Sequence, residues 1–254
     1  MTDDIYSPGR ELSGYPRPSL AVDIAAFTYT REVSQLMLLL IEGENGPRLP
    51  GAFVREREPL ADTVERCMVT KAGIKGAKAT LLDIFDSPDR DPRGWVLTAA
   101  HLLVVPETEA QRYDRTIAKW FPIHAIPNLQ GDHNDIVDSA LEKLRREYEI
   151  DQTLVKGKPV SQTSGRPRNI YAGGPDPEYF FSRPFTLREL QVLHETVAGR
   201  VFLSSSSSGS SMKTTSTLRD TFRRLMEPQL NEVGTNEGTA GSRGAPSRTW
   251  IHRD

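Results

Sequence analysis

The sequence predicts an α/β protein made of two domains joined by a linker. The first part of the 254-residue chain alternates strand-like apolar runs with two amphipathic helical patterns, and the last part has helical patterns around a Ser/Gly tract. The stretch between them is rich in Gly, Pro and Ser, which is typical of a linker. We therefore predict a tail over residues 1–18, a first domain over 19–150, a linker over 151–183 and a second domain over 184–254.

Composition and charge limit the possible classes of function. The hydrophobic fraction of 37% and charged fraction of 26% are typical of a soluble globular protein. The net charge of −2 gives no general sign of nucleic-acid binding, although Lys and Arg slightly outnumber Asp and Glu after residue 186. Cys67 is the single cysteine, which excludes an internal disulfide and fits a reducing compartment. With no long apolar run and no signal-peptide core, we expect a cytoplasmic protein.

The first domain contains the elements of a layered sandwich. Apolar residues recur at helical spacing before Gly73, which favours an amphipathic helix ending near that glycine. A second stripe of apolar residues with a charged opposite face predicts a helix over 134–148. Mixed strands with these two helices predict an α/β/α sandwich. The candidate strands are residues 19–30, 35–42, 53–54, 78–85 and 95–105.

The second domain has the outline of a winged helix-turn-helix. Thr186 and Glu189 make a capping box that begins one helix. A Ser/Gly tract over 204–211 separates it from a second helix predicted over 216–226. A polar stretch and a β-like end over 247–252 complete a helix, loop, helix and hairpin order, in which the hairpin would be the wing.

The second helix could face DNA. Leu218, Phe222 and Leu225 share one side, so the basic and small polar residues lie on the others, as a recognition helix requires. Arginines of the tail would contact phosphate, which positions a protein without reading sequence. The alternative is that the basic pair in this helix is simply a solvated face. The candidate DNA-binding residues are Lys213, Thr215, Thr217, Arg219, Arg223, Arg224, Arg243, Arg248 and Arg253.

Residues 50–74 keep the frame of a Nudix box but lose most of its carboxylates. The box is a Gly, five residues, Glu, seven residues, and then Arg-Glu-apolar-x-Glu-Glu-x-Gly-apolar. With the first Gly aligned on Ala52, the first Glu falls on Glu58 and the Arg on Arg66. The other three glutamates of the pattern fall on Cys67, Thr70 and Lys71, while Gly73 and Ile74 complete the frame.

The replaced glutamates would normally hold a metal. Offsets of three and four bring side chains together on one helical face, and Mg²⁺ prefers hard carboxylate oxygens. A thiol, a hydroxyl and an ammonium cannot build that site, so we predict no metal and no catalytic residues. Lys71 suggests a hypothesis: its ammonium replaces Mg²⁺ and holds a diphosphate. The alternative is that Lys71 only stabilises the end of a helix near its negative pole.

Taken together, the chain resembles the Nudix-related transcriptional regulators of the NrtR family. That resemblance implies a dimer that binds palindromic operators near NAD-biosynthesis genes and represses them, with ADP-ribose as the effector that releases DNA. Some relatives control pentose-use genes instead, and no further cofactor is implied. The resemblance rests on residues 17–23, the degenerate box, residues 86–94, residues 185–191 and residues 220–224.

Several side chains are candidates for binding ADP-ribose. Arginine forks match phosphate oxygens, so Arg55 and Arg66 could hold the diphosphate, although Arg66 could instead form a structural bridge to Glu58. Arg90 and Arg93 could contact the ligand or a dimer partner, or could pair with Asp89 and Asp91 within their loop. The predicted ligand-binding set is Phe53, Arg55, Glu58, Arg66, Lys71, Arg90 and Arg93.

Other residues are better explained by structure. Phe53 or Trp95 could stack on adenine, but a core position is favoured for either aromatic ring. His101 lies in an apolar strand and is interpreted as a satisfied core histidine, and Cys67 as an ordinary helix residue. No histidine has metal-ligand spacing, so no zinc is predicted.

Three functions remain open from the sequence. The leading interpretation is a repressor with an inactive ligand-sensing domain. The main alternative is an active hydrolase of ADP-ribose or a related nucleoside diphosphate derivative, with metal ligands outside the box such as Asp89, Asp91 or Glu107. The third is an interaction protein whose first domain is only a dimerisation scaffold. The sequence departs from the family at Ala52, in the long linker and in the Ser-rich tract.

Overall fold

The fold is a seven-stranded mixed sheet with helices on both faces, followed by a smaller helix-and-hairpin unit. A computed structural model describes residues 11, 15–111, 118–148, 175–199, 219–220, 222–236 and 247–253. Within these ranges no helix is long and apolar enough to cross a membrane. The main elements are β1 (Ser19–Thr30), β2 (Gln35–Gly43), β3 (Gly46–Arg48), β4 (Gly51–Phe53), α1 (Leu60–Ala72), β5 (Thr80–Phe85), β6 (Val96–Val104), α2 (Glu107–Ala110), β7 (Ala118–Pro122), α3 (His133–Tyr148), α4 (Leu187–Val197), β8 (Leu230–Asn236) and β9 (Ser247–His252).

Strand β1 is the centre of the large sheet. It pairs with β6 in parallel, from Ser19 opposite Val96 to Phe27 opposite Val104, and with β2 in antiparallel orientation. The strand order is β3-β2-β1-β6-β5, with β4 also paired to β1 and β7 to β2. Because helices cover both faces of β1, its side chains are buried almost without interruption, as is usual for parallel pairs in layered folds.

The alternation of β1 side chains divides the core into two layers. Val22, Ile24 and Ala26 pack with α1, whereas Ala25 and Phe27 pack with α3 on the opposite face. This period of two is the geometry of a strand whose successive side chains point to opposite faces. The predicted α/β/α sandwich is therefore confirmed.

Helix α1 carries the degenerate box and ends where the sequence predicts. Gly73 adopts φ 69° in the left-handed region, and its N–H donates to the carbonyl oxygen of Val69 at 3.0 Å. A residue with a side chain would be strained in this conformation, so glycine suits the position. The buried residues of α1 include Val64 and Met68, which belong to the predicted apolar stripe.

The second unit begins with the predicted capping box. The Thr186 hydroxyl accepts from the Glu189 N–H at 3.2 Å, and the Thr186 N–H donates to the Glu189 carboxylate at 2.6 Å. Strands β8 and β9 form an antiparallel hairpin, to which Phe185 adds a bridge with Trp250. Residues 222–226 of the predicted second helix are helical. The Ser/Gly tract 204–211 and the predicted wing tip lie outside the described residues.

Part of the predicted linker is a packed segment. Residues 149–174 lie outside the described residues, but residues 175–183 pack between the two units. Phe180 and Phe181 are fully buried in the core that α3 and α4 share. Aromatic burial of this kind stabilises an interface, so this segment joins the two units rather than spacing them apart.

A carboxylate with a raised pKa lies at this junction. Glu178 is half-buried beside Glu147 of α3, and the Lys143 ammonium lies 4.0 Å from Glu178. Burial first, and then the neighbouring Glu147 carboxylate, raise the pKa of Glu178 to about 7. The ionised form of Glu178 is therefore disfavoured in the folded protein.

We predict that Glu178→Gln removes a loss of stability that the wild type undergoes as the pH rises from about 4.5 to about 7. The raised pKa means that the folded state holds a proton which the unfolded chain has released, so this contribution is full below about pH 4.5 and is lost as the pH rises through about 7. The measurement is urea unfolding of both proteins at pH 5.5 and pH 8. The difference between the two proteins isolates Glu178 from the histidines, and an equal pH dependence in both would contradict the prediction.

Candidate functional site

The frame that the box retains is held by an ion pair between Glu58 and Arg66. Arg66 donates from Nε and Nη2 to the two carboxylate oxygens of Glu58 at 2.7 Å each, and also to the Phe53 carbonyl at 2.9 Å. The hydrogen bond from Arg66 is the main cause that lowers the pKa of Glu58 to about 2. This geometry favours the structural bridge that the sequence left open, because the Arg66 guanidinium and the Glu58 carboxylate already neutralise each other through two short hydrogen bonds.

The remaining box positions on α1 offer no carboxylate. Cys67 is fully buried, and burial raises the pKa of its thiol to about 12, in agreement with an ordinary helix residue. The Thr70 hydroxyl donates back to the Arg66 carbonyl at 2.7 Å, so the helix itself uses that group. Within the described ranges, no group of three or more His, Cys, Asp or Glu side chains could hold a metal ion.

Two cations beside this helix face form no ion pair with a carboxylate of the described residues. Lys71 is half-exposed in the last turn of α1 and forms no ion pair with any described residue. Arg48 of β3 likewise pairs with no described carboxylate, and its buried Nε has no hydrogen-bond partner there. Both cations lie close enough to Cys67 to lower the pKa of its thiol against the effect of burial. Arg48 is not among the residues predicted from the sequence, where its signal is a basic residue just before the box.

Arg90 is buried in an ion-pair cluster and does not pair within its loop. Its Nε and Nη2 donate to Asp132 at 2.8 and 2.9 Å, and Nη2 also donates to Asp23 at 3.2 Å. Pairing with Asp89 or Asp91, which the sequence offered, is therefore wrong for this arginine. With only 5% of its side chain exposed, Arg90 joins β1, the loop and the start of α3.

The same cluster also includes His133 and requires the glycine at position 51. The His133 Nδ1 accepts from the Leu49 N–H at 2.9 Å, and its Nε2 lies 3.7 Å from Asp23. A Cβ on Gly51 would lie 2.2 Å from the Asp23 Oδ1, so β4 can approach β1 here only with glycine. The cluster thus fixes the strand that leads into the box.

Arg93 faces the surface beside the exposed ring of Phe53. It donates to the Asp91 carboxylate at 2.9 and 2.6 Å, which is the predicted pairing, and its guanidinium lies 5.2 Å from the centre of the Phe53 ring. Phe53 and Trp95 are 42% and 47% exposed. The preference for core positions is therefore wrong for both rings. His101, by contrast, is buried and lies 2.9 Å from the Ala99 carbonyl, as predicted.

The candidate DNA-contacting arginines that the structure describes lie at the surface. Arg223 donates to Glu227 at 2.8 Å, and Arg248 lies 3.6 Å from the same residue. Arg219, Arg224 and Arg253 are exposed as well. Arg224 donates to the Asp220 carbonyl at 3.3 Å, and Arg253 donates to the Asn231 side chain at 3.2 Å. Phe222 is buried, so the side of the helix that carries it faces the core, as predicted. Lys213, Thr215, Thr217 and Arg243 lie outside the described residues.

Comparison with curated proteins gives relatives of two kinds. The chain is 34% identical over 106 residues to an ADP-ribose pyrophosphatase of Methanocaldococcus jannaschii, a match that covers 39% of the chain and 63% of that protein. It is 27% identical over 173 residues to the ADPR responsive transcriptional repressor NtrR of Acinetobacter baylyi, covering 63% of the chain and 67% of the repressor. No family model matches. The chain thus spans less than two thirds of the first relative's length.

Solved structures resemble the chain over nearly its whole length. Shewanella oneidensis NrtR has a TM-score of 0.65 at 24% identity, with coverage of 92% of this chain and 94% of that one. A MutT/nudix family protein from Enterococcus faecalis also has a TM-score of 0.65, at 20% identity, with 97% and 95% coverage. The fold therefore defines a Nudix-type sandwich with an appended C-terminal unit. Within that class, the predicted resemblance to the Nudix-related regulators is confirmed.

We predict that Arg90→Gln costs about 3 kcal/mol of stability, because it leaves two largely buried carboxylates without their cation. Arg93→Gln in the same loop is the matched control. Its ion pair is on the surface, so the expected cost is below about 1 kcal/mol. Urea unfolding of the three proteins measures both values. Equal, small losses for the two variants would show that the buried cluster has no special structural role.

Proposed function

We propose that this chain is a DNA-binding transcriptional repressor whose Nudix-type domain binds ADP-ribose as an effector and does not hydrolyse it. The observation that carries the proposal is α1, whose three box positions hold a buried thiol, an internally bonded hydroxyl and a free cation. Hydrolysis in this fold needs Mg²⁺, and Mg²⁺ needs carboxylate ligands. A domain that keeps the fold without these ligands is suited to sensing.

The relatives support a regulator. The Acinetobacter baylyi protein is named as an ADPR responsive transcriptional repressor, and its match extends beyond the Nudix-type domain. Shewanella oneidensis NrtR, which has the same overall fold, has also been crystallised with a 27mer DNA. The second unit of this chain presents its described arginines at the surface, where phosphate contacts are made.

Within the ligand site we assign different roles to the predicted residues. Lys71, with Arg48, supplies the positive charge for the diphosphate in place of a metal. The exposed rings of Phe53 and Trp95 supply a surface for the adenine, with Arg93 beside it. Arg55 remains a candidate for a phosphate contact. Glu58, Arg66 and Arg90 instead hold the frame of the site, because each is fully engaged in ion pairs.

The switch requires different affinities in two states. We propose a homodimer whose two recognition helices read the half-sites of a palindromic operator near NAD-biosynthesis genes. ADP-ribose would favour a geometry in which these helices no longer match the half-sites. A ligand that bound both states equally could not release DNA, however tightly it bound.

An active hydrolase is the second candidate, because the Methanocaldococcus jannaschii relative is named as an ADP-ribose pyrophosphatase. The alternative metal ligands are poorly placed for it. Asp91 is paired with Arg93, and Glu107 accepts from the Arg31 N–H at 3.0 Å and lies 3.6 Å from its guanidinium. Asp89 is the one of the three that forms no ion pair or hydrogen bond with a described residue, and one carboxylate does not make a magnesium site.

We predict that the protein shifts DNA from upstream of its own gene or of neighbouring NAD-synthesis genes in a gel-mobility titration, and that ADP-ribose abolishes the shift. The reason is the differential affinity just described. The salt concentration is held fixed, because phosphate contacts make DNA affinity strongly salt-dependent. AMP and ribose 5-phosphate serve as control ligands.

Each result of this titration has a clear meaning. A specific shift that ignores ADP-ribose keeps the regulator and removes ADP-ribose as its effector. No specific shift, together with Mg²⁺-dependent release of AMP from ADP-ribose, would replace the repressor by the hydrolase. No shift and no nucleotide binding would indicate a dimerisation scaffold.

A further inference from the structure

Helix α3 extends from the ligand site to the DNA-binding unit. At its N-terminal end, Asp132 and His133 belong to the cluster with Arg90 and Asp23, directly behind the strand that leads into the box. The helix has 16 residues, and a rise of 1.5 Å per residue makes it about 24 Å long. Its last residue is Tyr148, which is fully buried.

The far end of α3 is tied to the packed junction segment through Asp176. The Tyr148 hydroxyl donates to the Asp176 carboxylate and accepts from the Glu178 N–H at 3.3 Å. Asp176 is 1% exposed and also accepts the N–H groups of Phe180 and Phe181 at 3.2 and 2.9 Å. A displacement of α3 would take the Tyr148 hydroxyl away from this buried carboxylate, and the N–H groups of its own segment would be left to satisfy it.

His194 connects the same end of α3 to the second unit. It is buried in α4, with Nδ1 3.0 Å from the Tyr148 carbonyl and Nε2 2.6 Å from the Pro175 carbonyl. Its ring also packs edge-on against Tyr148, at 5.0 Å, and against Phe222, at 5.3 Å. Phe222 immediately precedes Arg223 and Arg224, the candidate DNA-contacting pair. One continuous set of contacts therefore joins α3 to that helix.

Arg31 provides a second connection between the two units. Arg31, in the turn after β1, donates to the carbonyl oxygens of Arg183 and Pro184 at 3.1 and 3.0 Å. Its guanidinium lies 4.5 Å from the centre of the Phe181 ring and 3.7 Å from Glu189 of the capping box. The turn after β1 is thereby bonded to the residues that precede α4 and lies close to its capping box.

We propose that α3 is the element that transmits the state of the ligand site to the DNA-binding unit, with Tyr148, Asp176 and His194 as its positioning residues. What is transmitted rests on the proposed function, whereas the rigid connection rests on these contacts alone. Close-packed interiors shift between discrete arrangements and do not deform smoothly. A displacement at Asp132 and His133 would therefore move the Tyr148 end as well.

The test uses Tyr148→Phe, which keeps the ring and removes the hydroxyl that binds Asp176. The matched control is Arg146→Gln, which breaks only an exposed pair with Glu142 on the same helix. DNA affinity is measured with and without ADP-ribose, and ADP-ribose affinity separately. The wild-type ratio of DNA affinities, about 5- to 150-fold for typical coupling, should fall below about twofold in Tyr148→Phe and stay unchanged in Arg146→Gln. Both variants should still bind each ligand.

Calorimetric unfolding of the protein without ADP-ribose tests the rigid connection independently of the proposed function. The wild type should unfold in one transition, and Tyr148→Phe should broaden or divide it. Two independent transitions in the wild type would overturn the proposal, as would an unchanged transition and an unchanged affinity ratio in Tyr148→Phe. Should that variant fail to fold, His194→Gln, which removes the ring that packs on Tyr148 and keeps the Tyr148 hydroxyl bond to Asp176, gives the same readouts. Failure of ADP-ribose to act on wild-type DNA binding would instead count against the proposed function.

Discussion

The buried pairing of Arg90 with Asp23 and Asp132 is the constraint on which the rest of this structure depends. It joins the central strand, the loop before the long strand β6 and the residue that precedes α3. Gly51 is required because Asp23 occupies the space of a Cβ, so the same cluster fixes the start of the box. Any rearrangement of the ligand site must therefore keep these carboxylates paired or move α3 with them, since an unpaired buried charge is costly.

The chemistry of the site follows from charge. The box retains the ion pair that shapes its loop, Glu58 with Arg66, and loses the carboxylates that would attract a divalent cation. In their place, Lys71 and Arg48 put positive charge beside α1 and pair with no carboxylate in the part of the chain that the structure describes. A diphosphate needs that charge, and the protein can provide it permanently, whereas a metal site would also activate water. The proposed function therefore expects binding without cleavage.

Local patterns in the sequence predicted much of the fold. The end of α1 at Gly73, the capping box at Thr186 and the buried His101 all depend on nearby residues, and all three are confirmed. The partner of Arg90 lies 42 residues away, and its pairing depends on how α3 meets the sheet. Phe53 and Trp95 are predicted to be core residues because aromatic side chains are usually buried. Their positions at the ends of strands leave both rings exposed instead. Likewise, a Pro- and Gly-rich composition concealed the packed segment around Phe180.

The central claim is that a cation of the protein replaces the metal, and calorimetric titration of ADP-ribose tests it most directly. The account predicts that wild-type protein binds ADP-ribose equally well in EDTA and in Mg²⁺, with no AMP released. Lys71→Glu should weaken that binding by about tenfold or more, as expected for loss of a charged hydrogen bond, whereas the exposed Lys75→Glu should not. Binding that requires Mg²⁺, or an affinity unchanged in Lys71→Glu, would contradict the account.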